Sequence, residues 1–179
     1  VIVSFFDIPG SFLGIATTMW IMELLFIIAS ITDKLDGYLA RKNNQVTNFG
    51  KFLDPIADKI LEVAAMILFV EMGRLPAWIP IIVLTREFIV SGYRLIAVQK
   101  QGQVIAANIW GKLKTVTQMI AIILMFLDIN AYGDFFTKKL TGYNVVINIL
   151  STTVMTISVI ATIFSGYEYL KGSKELFKD

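Results

Sequence analysis

The 179-residue chain contains no cysteine and no histidine. Without cysteine there is no disulfide framework and no thiolate metal site. Without histidine there is no imidazole to act as base, nucleophile or ligand. Any bound metal must therefore rest on oxygen, which favours Mg²⁺, Mn²⁺ or Ca²⁺ over zinc or copper. Charge is also scarce: 17% of residues are charged and 56% are hydrophobic. A soluble domain of this length needs more charge to cover its surface. There is no internal repeat and no low-complexity tract. The net charge of +2 says little by itself; where the charges sit says more.

Hydrophobic runs are plentiful. A helix needs roughly 20 apolar residues to cross a bilayer. Stretches near 13–32, 56–72, 77–98, 104–127 and 143–166 meet or approach that length. The breaks between them carry turn or charge signals, such as Gly73-Arg74-Leu75-Pro76 and Lys100-Gln101-Gly102-Gln103. The expectation is one all-α integral membrane domain over residues 1–179. Basic residues concentrate in three places: Lys34, Arg41, Lys42, Lys51 and Lys59; Arg94, Lys100, Lys112 and Lys114; and Lys171, Lys174 and Lys178. Five alternating spans bring all three to one side, which reads as cytoplasmic. That topology puts Val1 outside, and the chain opens without an initiator methionine. A further helix is expected ahead of Val1-Ile2-Val3-Ser4-Phe5-Phe6, with a cleaved signal peptide as the alternative. Trp20, Trp78 and Trp110 fall near predicted span ends, where an aromatic belt is expected.

Four aspartates stand out at the cytoplasmic end of the first two spans. Asp33 and Asp36 are three apart, and Asp54 and Asp58 are four apart, so each pair shares a helix face. A short link joins the two helices, which can bring the four carboxylates together. Clustered carboxylates repel and resist desolvation. Hard divalent cations are the natural partners in a chain without histidine or cysteine, and two such ions can clamp a phosphoryl group in a displacement. Gly37 and Gly50 flank the cluster, where glycine permits close approach of a backbone or ligand. Arg41 offers a fork of donors to a phosphate. Solvated loop charges paired with neighbouring lysines are the ordinary alternative, but they give no reason for this spacing.

The segment Asp33, Asp36, Gly37, Ala40, Arg41, Gly50, Asp54 and Asp58 matches D-x2-D-G-x2-A-R-x8-G-x3-D-x3-D at every fixed position. It resembles the signature of the CDP-alcohol phosphotransferases, and the hydrophobic pattern extends the likeness along the whole chain. The resemblance implies a six-helix transmembrane bundle of which five spans are visible here, the first being expected ahead of Val1. It implies two divalent cations, Mg²⁺ or Mn²⁺, on Asp33, Asp36, Asp54 and Asp58, with Asp58 also the general base. It implies a CMP-binding surface of Gly37, Ala40, Arg41 and Gly50, with Arg41 near the diphosphate.

The signature fixes the donor class but not the acceptor. Arg86 and Arg94 are eight apart, within about 80° of each other around a helix. Lys112 and Lys114 follow. A cationic cluster near the aspartates suits an acceptor that brings its own phosphate; a salt bridge to Glu87 and membrane-edge anchoring are the plainer roles for these residues. The stretches Arg86-Glu87-Phe88 to Ser91-Gly92-Tyr93-Arg94 and Gly111-Lys112-Leu113-Lys114-Thr115 resemble those of phosphatidylglycerophosphate synthases. That likeness implies CDP-diacylglycerol as donor and sn-glycerol 3-phosphate as acceptor, its phosphate resting on some of Arg86, Arg94, Lys112 and Lys114. The implied setting is multi-pass in the bacterial cytoplasmic membrane, with membrane lipid and a second copy of the chain as partners and no nucleic acid. A sibling enzyme using inositol phosphate or phosphatidylglycerol, a divalent-cation transporter and a structural membrane subunit are the rival readings. Glu23 and Glu62 lie within spans and receive no catalytic role.

Overall fold

Pro9, Gly10 and Gly14 decide how the chain enters its first helix. Gly10 and Gly14 take positive φ, 121° and 77°, a region open to glycine because it lacks Cβ. A two-stranded antiparallel ribbon forms there, β1 (Ser11–Phe12) with β2 (Ile15–Ala16), pairing Ser11 with Ala16 and Phe12 with Ile15. The sequence predicts a span from residue 13; the turn chemistry instead delays the helix to Thr17. The computed structural model describes residues 9–12, 14–42, 48–101 and 108–176, without the side chains at 34, 37, 38, 40, 41, 48–58, 95–101 and 172–176.

Five long helices follow: α1 (Thr17–Lys42), α2 (Asn48–Glu71), α3 (Trp78–Gln101), α4 (Ile109–Leu127) and, after the short α5 (Asp134–Thr137), α6 (Tyr143–Leu176). α4 and the stretch Tyr143–Lys171 of α6 are long and apolar enough to cross a membrane. α1, α2 and α3 break their apolar runs with charged residues such as Glu23, Glu62 and Arg86. At about 1.5 Å per residue, the 34 residues of α6 run about 51 Å, well beyond a hydrocarbon layer of about 30 Å.

The turn between α2 and α3 is set by Gly73 at φ 68°. Its amide bonds Val70 O, and the amides of Arg74 and Leu75 bond Phe69 O at 2.8 and 3.1 Å, closing the carbonyl end of α2. Asn108 caps α4 by accepting from Gly111 N at 2.7 Å.

Packing divides the bundle lengthwise. One half is an apolar core of Met19, Met22 and Phe26 from α1, Met66 and Phe69 from α2, Ile79 and Val83 from α3, and Ile122, Met125 and Phe126 from α4. Phe126 makes ring contacts with Phe69 and Phe26 at 4.8 and 5.9 Å. The other half, where α1 ends and α2 and α4 begin, is basic and polar.

α6 inverts the usual amphipathic pattern. Its buried positions include Asn148, Ser151, Ser158, Thr162 and Ser165, whereas Ile149, Ile157, Ile160, Ile163 and Phe164 are exposed. Small polar residues face the bundle beside Met155 and Val159, and many large apolar ones face outward. Water would reverse that arrangement; lipid favours it, because small residues let helices approach and apolar chains meet acyl tails. The protein is a membrane protein on this evidence of surface and helix length.

At the end away from the basic half, the α4–α6 crossover is pinned by Asp128, which is 2% exposed. Its Oδ2 accepts from Asn148 Nδ2 at 2.8 Å and Ser151 Oγ at 2.6 Å, and its Oδ1 accepts from the backbone and side chain of Asn130. Arg74 Nη1 donates to Asp128 O at 2.9 Å. Burial lowers the pKa of Arg74, an effect the neighbouring Asp128 carboxylate opposes.

Candidate active site

The eight signature positions divide between two helix ends. α1 runs unbroken through Asp33, Asp36, Gly37, Ala40 and Arg41, and α2 begins just before Gly50, Asp54 and Asp58. The side chains of Asp33 and Asp36 lie one turn apart on α1, the first half-buried and the second exposed. Residues 43–47 link the helices, a reach of at most about 22 Å. The side chains of Ala40, Arg41, Asp54 and Asp58, and the surroundings of Gly37 and Gly50, lie outside the described residues. Among the described residues, no three acidic side chains come together as a metal site. The donor chemistry is nonetheless all carboxylate, the set a hard divalent cation takes.

Beside these helix ends, a polar cleft of about 250 Å³ opens between α2, α3 and α4. Lys59, Glu62, Arg86, Glu87, Ser91, Arg94, Lys114 and Thr115 line it. Lys59 follows Asp58 directly, so the cleft abuts the carboxylate segment. Of the four cations expected to serve an acceptor phosphate, Arg86, Arg94 and Lys114 share this cleft. Lys112 does not line it and is exposed. Two residues along a helix turn through about 200°, so Lys112 and Lys114 point away from each other.

Arg86 is held in a slot between α4 and α6. Its Nη2 and Nε donate to Ser165 Oγ at 2.6 and 3.2 Å, and its Nη1 to Glu87 Oε1 at 2.8 Å. Gly111 and Gly166 make the slot: a Cβ at 111 would stand 3.0 Å from Arg86 Nη2, and one at 166 would stand 3.5 Å from Arg86 Cγ. Arg94 donates from Nη2 to Tyr169 OH at 3.0 Å and lies over the Tyr169 ring, 5.7 Å from its centroid. Its buried Nε has no hydrogen-bond partner among the described residues. A buried donor without an acceptor is costly and suits an incoming anion.

Lys114 is 3% exposed and lies between two carboxylates, Glu87 Oε1 at 2.9 Å and Glu62 Oε2 at 3.4 Å. Gln118, one turn on, donates to the same Glu62 oxygen at 2.9 Å. Lys59 Nζ reaches Glu87 Oε2 at 3.2 Å and Ser91 Oγ at 2.9 Å. Lys59, Glu87, Ser91, Ser165 and Tyr169 were not among the candidates read from sequence.

A second groove, about 540 Å³, runs from this cleft along α2 and α3 and shares Lys59, Glu87 and Ser91 with it. Ile60, Val63, Ile67, Leu84 and Phe88 make its walls apolar.

The chain matches the model of the CDP-alcohol phosphatidyltransferase family over residues 1–164. It is 43% identical over 155 residues to a CDP-diacylglycerol–glycerol-3-phosphate 3-phosphatidyltransferase of Bacillus subtilis, covering 87% of this chain and 74% of that one. It is 39% identical over 178 residues to the enzyme of the same name from Haemophilus influenzae, covering 97% and 88%. The Rickettsia typhi enzyme of that name is 36% identical over 154 residues, covering 86% and 80%.

Proposed function

The chain belongs to the CDP-alcohol phosphatidyltransferase family, and on that premise we propose that it is a phosphatidylglycerophosphate synthase. It transfers the phosphatidyl group of CDP-diacylglycerol to sn-glycerol 3-phosphate and releases CMP. The observation that carries the acceptor is the cleft shared by Lys59, Arg86, Arg94 and Lys114, beside the aspartate-bearing helix ends. It supports an acceptor that carries a phosphate of its own, because a polyol or serine needs no such density of cations.

Asp33, Asp36, Asp54 and Asp58 hold two divalent cations, Mg²⁺ or Mn²⁺, in this reading. When bound, these would supply electrostatic stabilisation to the diphosphate and the departing CMP. Gly37, Ala40, Arg41 and Gly50 form the CMP surface, and the apolar groove along α2 and α3 offers the donor's acyl chains a dry wall. Arg86, Arg94 and Lys114 orient the acceptor phosphate, which leaves its primary hydroxyl free to turn toward Asp58. Asp58 takes the hydroxyl proton. The acceptor oxygen forms a bond to the lipid-side phosphorus, and the bond from that phosphorus to the CMP oxygen breaks. Positioning and preorganised charge do most of the work, as in other phosphoryl transfers.

The protein acts as a homodimer of six-helix bundles in the bacterial cytoplasmic membrane, with its site facing the cytoplasm. Concentration of lysine and arginine at the end of the cleft supports that orientation.

The test uses protein purified in detergent, with CDP-diacylglycerol and Mg²⁺ or Mn²⁺. CMP release is measured with sn-glycerol 3-phosphate, inositol phosphate, serine, phosphatidylglycerol and no acceptor. Release dependent on sn-glycerol 3-phosphate is expected. Release with another acceptor alone would keep the family and overturn the substrate.

A further inference from the structure

Glu87 forms ion pairs with cations on three helices at once: Lys59 of α2, its neighbour Arg86 on α3, and Lys114 of α4. Its two oxygens divide the task. Oε1 takes Arg86 and Lys114, and Oε2 takes Lys59. Glu62 engages Lys114 from α2 and is itself bonded by Gln118.

Three like charges converging on one small cleft repel one another, more strongly where water is excluded. Lys114 at 3% and Arg86 at 10% side-chain exposure have little water to screen them. A carboxylate between them converts repulsion into a fixed arrangement. We propose that Glu87, backed by Glu62, positions the acceptor-binding cations and sets the charge of the cleft to select a phosphomonoester dianion. The inference rests on the acceptor reading given above.

The donor count agrees. An ammonium has three N–H groups. Lys114 uses two of them on Glu62 and Glu87, and Lys59 uses two on Glu87 and Ser91. Among the described residues each keeps one N–H for a ligand, and Arg94 Nε, buried within a residue of the cleft wall, is a donor without an acceptor. The charge count agrees as well. Among the described lining residues, Lys59, Arg86, Arg94 and Lys114 against Glu62 and Glu87 leave two positive charges. A phosphomonoester carries about −1.5 to −2 at neutral pH, a phosphodiester one negative charge and a polyol none. Only the monoester closes the balance. Glu87 touches the cations and not the acceptor, so its effect passes through their placement.

The experiment compares wild type, Glu87→Gln, Glu87→Asp and Glu62→Gln as full chains in detergent with CDP-diacylglycerol and Mg²⁺. It measures CMP release against concentrations of sn-glycerol 3-phosphate, of glycerol and of the donor. Glu87→Gln is expected to raise KM for sn-glycerol 3-phosphate about tenfold or more, leave KM for the donor within about twofold, and erode the preference over glycerol. Glu87→Asp, which keeps the charge, is expected to stay within about threefold of wild type. A Glu87→Gln protein with unchanged acceptor KM, or with both KM values raised alike, overturns the proposal; so does a Glu87→Asp protein as impaired as Glu87→Gln. If Glu87→Gln loses its monodisperse peak, Glu62→Gln decides: a raised acceptor KM alone supports the proposal, and an unchanged one overturns it. A wild type silent with every acceptor would remove the underlying acceptor reading instead.

Discussion

The Arg86 guanidinium packs closely against Gly111: a Cβ at that position would lie 3.0 Å from Arg86 Nη2 and equally close to Asn108 Oδ1. Glycine on α4 and arginine on α3 are therefore complementary in shape, and Ser165 on α6 supplies the acceptor that holds the guanidinium in place.

Gly111→Ala is expected to shift Arg86, together with the Asn108 side chain that caps α4, by a few tenths of an ångström. Alanine favours the helix itself by about 1 kcal/mol over glycine, so the fold should survive. The expected outcome is a severalfold higher KM for sn-glycerol 3-phosphate, with an unchanged KM for the donor. Steady-state CMP release, with a thermal melt as control, checks both.

Removal of divalent cations by a chelator should stop CMP release, and Mg²⁺ or Mn²⁺ should restore it. Asp58→Asn should lower kcat by about 10²- to 10⁴-fold, the usual range for a lost general base. Retention of radiolabelled CDP-diacylglycerol by the variant would separate a lost proton acceptor from a lost site. A variant that turns over normally would remove the base assignment.

Asp128→Ala should destabilise the protein without touching the chemistry. It removes the acceptor of one Asn148 Nδ2 N–H and the shorter of two Ser151 Oγ contacts, leaving only Ala131 O and Asn148 O as their partners in a place water does not reach. Each buried group left unsatisfied costs about 1–3 kcal/mol. A lower unfolding temperature in detergent, with acceptor and donor KM values unchanged below it, is the expected pair of results.

Asp134 makes stability depend on pH. Burial pushes its carboxyl up, but the Lys138 ammonium at 2.8 Å and the Ala131 amide at 2.9 Å outweigh that and hold it below the ordinary carboxylate value. A folded-state value lower than the unfolded one stabilises the fold above about pH 4, the unfolded value, and the contribution is lost as pH falls further. The melting temperatures of wild type and Asp134→Asn should differ near neutral pH and converge toward pH 3.

The helices that carry the signature could be read from sequence because they are written in local spacing and apolar runs. Asp33 with Asp36, and Asp54 with Asp58, fall one turn apart on helices that the apolar runs already mark. The cleft was legible only in part, because it depends on which faces of three helices meet. Arg86, Arg94 and Lys114 meet there; Lys112, adjacent in sequence, turns outward. Glu87 looked like a local partner for Arg86, since nothing in its sequence neighbourhood announces Lys59 or Lys114. The start of α1 was misplaced because the hydrophobicity of Phe12, Leu13 and Ile15 masks the turn that Gly10 and Gly14 impose. The crossover network around Asp128 joins residues about 20 apart through a side-chain amide and a hydroxyl, a pattern with no period to detect.

The seam of α6 has a consequence for biogenesis. Thr156 and Thr162 bond their own helix, to the carbonyls of Thr152 and Ser158 at 2.7 Å each. These hydroxyls are satisfied within the helix itself, which lowers the cost of carrying them into lipid before α6 docks on α4. A seam of small polar residues therefore need not bar the helix from the bilayer.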